Sequence, residues 1–169
     1  LQVAFLGTID FEAGLISFDA SIYNSKLITF VLAGDMALRL AWKDNPNFLI
    51  TVGGFHPSYE PPPLSLPDLD RISISLVTGN NPRITLDAYF AITSNTAQVG
   101  SRLELYAEAW KIYVAGHLSF DALFQFSPFY FIINGSAMVA VGKGNTVLMA
   151  VALALELEGP TPWKVDGRA

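Results

Sequence analysis

Cysteine is absent from the 169 residues. That removes disulfides, thiolate nucleophiles and Cys-based metal sites, and leaves the redox compartment unreadable. Charge is scarce: 15% Asp, Glu, Lys and Arg, against roughly 25% in an average globular chain. Basic clusters are missing too. The ten Lys and Arg residues are scattered singly in a chain of formal charge -5 and pI near 4.8. An acidic chain without a basic stripe cannot neutralise phosphates, so nucleic acid is excluded as a partner. No run of eighteen apolar residues occurs, so no spanning helix is expected. No basic n-region precedes an apolar run, and the chain opens on Leu1. It reads as a piece of something longer, with Val165–Ala169 looking like a strand cut short.

What is present is alternation. From Ile112 to Glu158, apolar residues recur at every second position: Ile112, Val114, Leu118, Phe120, Phe124, then Phe131, Ile133, Val139, then Val147, Val151, Leu153, Leu157. A strand turns alternate side chains to opposite faces, so a period of two is a sheet signal. Ser127-Pro128 and Gly142–Asn145 break the run into three long strands. The same pattern fills 2–11, 15–23, 28–43, 48–54, 72–77, 84–92 and 98–109. Good helix formers at 33–43 make helix the rival reading there, but the period of two persists through them. The expected fold class is all-β: nine to eleven long strands in a predominantly antiparallel meander, forming a sandwich or a strongly curved sheet.

The apolar half of each strand supplies the expected core: Phe30, Leu32, Leu38, Leu40, Ile50, Val52, Leu103, Leu105, Phe120, Phe124, Phe131, Ile133, Val151 and Leu153. Four prolines lie between Pro57 and Pro63, and proline cannot donate to a ladder. Residues 57–71 are therefore read as an irregular connection between a first β half, 1–56, and a second, 72–169. This connection either crosses between halves or covers an edge. Between Ala109 and Ile112 the apolar parity slips, which a bulge or a very tight turn would produce. Thr78–Pro82 reads as a turn. Residues 33–53 overlay 115–135 without a gap, matching Ala33/Ala115, Gly34/Gly116, Pro46/Pro128, Ile50/Ile132 and Gly53/Gly135, a weak internal duplication.

No pattern selects catalytic residues. His56 and His117 are the only histidines and belong to no H-x-x-x-H or H-E-x-x-H spacing. His56 is expected to cap the Pro-rich connection, and His117 to be a solvated or hydrogen-bonded group on the smaller face. Asp10, Asp19, Asp87, Glu104, Glu108 and Asp121 lie scattered on the less apolar faces. A glycosidase pair could come from adjacent strands, but nothing selects one. Gly142-Lys143-Gly144 lacks the order of a phosphate loop and reads as a hairpin turn. No catalytic residue, metal ligand or cofactor is assigned.

The stretch Leu155–Gly167, LELEGPTPWKVDG, resembles a recurrent signature, L-x-G-P-x-P-W-x-V-x-G, of a family of very large, uncharacterised, β-rich bacterial and fungal proteins. Gly53-Gly54-Phe55-His56-Pro57 looks like a second feature of that family. The resemblance covers the chain from about Ile28 onward. It implies a segment of a longer protein and transfers no catalytic residue.

Two functional expectations follow. The first is a non-catalytic structural β module whose partners are neighbouring β segments of the same or an identical protein. The second is an apolar trough that binds or conducts lipid, with Phe120, Phe124, Phe126, Phe129 and Phe131 as its ligand face. A glycoside hydrolase or carbohydrate-binding β domain is the third alternative.

Overall fold

A computed structural model of the chain describes residues 2–28, 30–77 and 79–169. Leu1, Thr29 and Thr78, the last at the head of the expected Thr78–Pro82 turn, lie outside the described residues. Eleven strands form one antiparallel sheet: β1 (Gln2–Asp10), β2 (Leu15–Leu27), β3 (Phe30–Ala41), β4 (Asn47–Val52), β5 (Ile72–Val77), β6 (Arg83–Thr93), β7 (Thr96–Ala109), β8 (Ile112–Gln125), β9 (Tyr130–Lys143), β10 (Thr146–Gly159) and β11 (Lys164–Arg168). No helix is present among the described residues. Of the 33–43 stretch, 33–41 is strand, as its period requires, and Trp42-Lys43 already belong to the turn that follows. The longest strands span about 45 Å. The parity slip resolves as a two-residue turn at Trp110-Lys111, with Ala109 paired to Ile112.

Strand order follows chain order except at one place. β4 lies between β3 and one half of β6, while β5 lies between β3 and the other half of β6. Val52 pairs with Met36 and Phe90, and Ile72 pairs with Ala88. β4 and β5 thus share one strand position, and residues 53–71 leave it and return almost where they left. Asp35 staples both ends: its carbonyl accepts from Gly53 N–H at 2.7 Å, its N–H donates to Asp70 O at 3.1 Å, and its carboxylate accepts from Asp70 N–H at 2.9 Å.

The register assigns every side chain to a face. One face, through β6–β10, carries Ile84, Leu86, Phe90, Val99, Leu103, Leu118, Phe120, Ile133, Val139, Val151, Leu153 and Leu155. Ser101 is its one polar side chain there before Lys143 at the rim. The other face of the same strands carries the charges, among them Asp87, Arg102, Glu104, Asp121 and Glu156.

The core lies on the face opposite to the one expected. Ala37, Arg39, Leu49, Thr51, Tyr89, Ala91 and Gln98 are buried on the polar face, because residues 53–71 run across it. Of the expected core only Phe131 is buried; Leu40, Leu103, Leu105, Phe120, Val151 and Leu153 are exposed and the remainder half-buried. The reason is steric. Small side chains let a proline-rich strap approach the sheet backbone, whereas bulky ones hold it off. The sheet is single; no second sheet packs on the apolar face among the described residues. Pro46 and Pro128 both sit in turns, yet Ile50 pairs with Leu38 on the apolar face and Ile132 pairs with Leu123 on the polar one. The two hairpins therefore differ in register where the overlay would match them.

Candidate functional site

Two surfaces compete for a functional role: the strapped polar face and the open apolar face. The strap begins where Gly53 and Gly54 adopt left-handed φ of 77° and 83°. A Cβ on Gly53 would lie 2.4 Å from Ala88 O, so only glycine fits the exit. The chain then turns at His56, whose carbonyl accepts from Tyr59 N–H at 2.9 Å. His56 N–H donates to Gln98 Oε1 at 2.9 Å, and Gln98 Nε2 donates to Thr96 Oγ1 at 2.9 Å, within hydrogen-bond reach of Thr93. Buried polar groups persist when such partners exist.

Two arginines fasten the rest. Arg39 is 2% exposed. Its Nε donates to Leu64 O at 3.0 Å and Nη2 to Ser65 O at 2.9 Å, while Nη1 and Nη2 fork onto Asp19 at 2.7 and 3.0 Å. A buried guanidinium needs this: a carboxylate for its charge and acceptors for its remaining N–H groups. Arg71, at the strap's end, donates to Gly53 O and Phe55 O at 2.8 and 2.7 Å and lies 3.9 Å over the Tyr89 ring. Tyr89 Oη donates to Asp121 Oδ1 at 2.9 Å. That ring crosses Gly100, where a Cβ would sit 2.3 Å from it. Burial and the bond to Asp121 push the Tyr89 phenol far up, so it stays protonated. Burial lowers Arg71, opposed by Tyr89, Asp121 and Asp87.

Beside the strap lies a polar hollow of about 250 Å³ between Pro57, Arg71, Asp87, Arg102, Ser119 and Asp121. It adjoins a larger one, of about 460 Å³, near Asn134, Ser136, Glu156 and Arg168. Of the acidic residues singled out from sequence, Asp87 and Asp121 share the lining of the first hollow; the others do not join them there. Asp10 accepts from Ala13 N–H, Asp19 binds Arg39, Glu104 pairs with Arg102, Glu108 accepts from Tyr106 Oη and Asp121 from Tyr89. His117 Nε2 lies 3.2 Å from Ser136 Oγ, part-buried on the polar face. Among the described residues no three of His, Asp and Glu are grouped to hold a metal ion.

The five phenylalanines of the expected ligand face fall into three groups: Phe120, the ring cluster of Phe124, Phe129 and Phe131, and Phe126. Phe120 is 43% exposed in mid-strand, opposite Gly135. Phe124, Phe129 and Trp163 surround Phe131 with ring centroids 6.3, 6.1 and 5.2 Å away, and Phe131 itself is 7% exposed. Phe126 and Phe129 sit in the β8–β9 turn and are exposed. The apolar face has a hollow of about 510 Å³ whose lining includes Leu118, Gly135, Ala137, Leu153 and Leu155.

Arg39, Arg71, Tyr89 and Gln98 escaped sequence reading. Single charges inside alternating strands look like solvated positions; the paired glycines at the strap's exit were the available signal that backbone meets backbone there. No curated protein and no solved structure matches the chain. A family model does match, over residues 1–169, and the chain therefore belongs to the family of unknown function designated DUF6603.

Proposed function

We propose that the chain is a non-catalytic structural module, a segment of sheet continued through its edges by neighbouring β segments of the same or an identical protein, with the apolar face turned to the interior of that larger body. The observation carrying this reading is the contrast between faces. The apolar face has no charged side chain between its rims, yet Leu118, Val139, Val151, Leu153 and Leu155 are each more than half exposed. A chargeless apolar patch running over several adjacent strands ordinarily marks a surface that another body covers. The edges support it as well: β1 pairs only with β2 and β11 only with β10 among the described residues, and both are exposed along their length. We further infer that members of the family are long β-rich chains in which G-P-x-P-W marks a strand-to-strand step. Here Gly159–Trp163 joins β10 to β11 and Trp163 packs its edge on Phe131.

The absence of cysteine supplies the test. Single cysteines at Leu118 or Leu153 report the apolar face, and at Ser119 or Ala154 the polar face. In protein isolated in its native assembly, thiol labelling is expected to be slow at the first pair and fast at the second. Equal labelling would defeat the proposal.

A second reading, that the face holds lipid acyl chains, is favoured by the apolar hollow over Gly135. A tightly interdigitated sheet–sheet contact would have a bulky residue there. Native mass spectrometry with organic extraction separates the two. Stoichiometric lipid, lost in a folded Leu118→Asp/Leu153→Asp variant, favours the trough, and lipid-free protein with protected thiols favours the module.

A further inference from the structure

His56 is the one buried side chain among the described residues with an unpartnered polar atom, Nε2. Its Nδ1 accepts from Ser58 N–H at 3.1 Å, which places the ring proton on Nε2. The residue is 1% exposed. We propose that His56 is a proton-operated latch: the neutral ring holds the first turn of the strap, residues 55–59, onto the polar face, and the protonated ring releases it.

The chemistry is a matter of donors and acceptors. A protonated imidazole carries N–H at both nitrogens. The new Nδ1–H points at Ser58 N–H, so an acceptor becomes a donor facing a donor. The second N–H remains in a site with no acceptor, and a full charge enters a nearly sealed space. The charges facing the ring do not offset this. Asp121 of β8 attracts the proton but already accepts from Tyr89 of β6, and the guanidinium of Arg71 at the head of β5 repels it. β7 contributes the neutral Gln98, bonded to the His56 backbone. Burial, partly countered by Asp121 and reinforced by Arg71, lowers the ring from its ordinary value of 6.5. A lowered base binds its proton more readily when the segment is open. The latch is therefore fully held above 6.5 and weakens as pH falls below it.

Release would not detach the strap. Arg39 still holds Leu64 and Ser65, and Asp35 still staples both ends. What opens is the turn beside the hollow lined by Pro57, Arg71 and Asp121, uncovering Gln98 beneath.

The test is amide exchange on the whole chain in mild detergent, at about pH 7.5 and about pH 5, corrected for intrinsic rates, beside an NMR titration of the His56 ring. Protection at Ser58 and Tyr59 is expected to fall at the lower pH while that of β8 and β9 does not. His56→Asn keeps an acceptor for Ser58 N–H and cannot titrate, so its protection should be flat across the range. His117→Asn should retain the wild-type fall. Flat wild-type protection, a fall persisting in His56→Asn, or a ring titrating at or above 6.5 would each overturn the latch; the ring titration decides the matter even if His56→Asn fails to fold.

Discussion

Gly53 and Arg39 show how single positions decide which face becomes the core. Gly53 has a left-handed backbone and carbonyl and amide atoms of β6 and β5 pressed against it. Gly53→Ala is expected to lower unfolding free energy by about 3 kcal/mol, combining backbone strain with a clash that cannot relax into a side chain. Chemical denaturation would measure it, and a loss within experimental error would mean the strap exit is looser than drawn. Arg39→Lys keeps the charge but abandons the fork onto Asp19 and one or more strap carbonyls. A loss of about 2 kcal/mol is expected, with faster exchange of the Leu64–Leu66 amides. Arg39 was not legible beforehand as important, and Gly53 stood out only as part of the Gly53–Pro57 stretch. Alternation tells which side chains share a face, and it did so along almost the whole chain. It does not tell which face will be covered, because that depends on how closely a distant segment can approach. Ala37, Ala91 and Thr51 looked like a surface made mild for solvent. They are mild because backbone lies on them.

At the level of the element, the β7–β8 hairpin is closed by Trp110-Lys111, with φ of 50° and 66°. Both residues are in the left-handed region, where asparagine and glycine are ordinarily found. Trp110 is 95% exposed, so no packing offsets the strain. Replacing the pair by Asn-Gly should raise stability by about 1–2 kcal/mol, read as a shift in denaturation midpoint at unchanged slope. The long strands themselves, their turns and their antiparallel order were readable from the period of two and from Asn, Gly and Pro at the breaks. The strap's destination was not. Its prolines exclude it from a ladder, but exclusion from one place does not assign another: it does cross from the first half to the second, joining β4 to β5, but on the way it lies over a face rather than along an edge.

For the whole molecule, the open apolar face reverses the usual mutational expectation. Leu153→Lys, in the middle of that face and 54% exposed, should change stability by no more than about 0.5 kcal/mol while reducing self-association and dye binding. Leu49→Asp, fully buried under the strap, should abolish folding, since it places a charge without a partner in a dry interior. Circular dichroism with sedimentation distinguishes the two. If Leu153→Lys unfolds the chain and Leu49→Asp does not, the faces have been assigned the wrong way round.

The single strand position shared by β4 and β5 has a kinetic consequence. Every other joint in the sheet is a hairpin between consecutive strands, which needs only a short loop to close and can zip from either end. The joint at β3–β5 and β4–β6 alone must wait for residues 53–71 to loop out and come back. The sheet is thus two fast zippers meeting at one seam, and the seam carries the loop-closure entropy of the fold. Excising the strap so that Val52 runs through one glycine into Ile72 should speed the meeting of the two halves. It would also strip the cover from Arg39 and Leu49, leaving a sheet that assembles quickly with neither face closed.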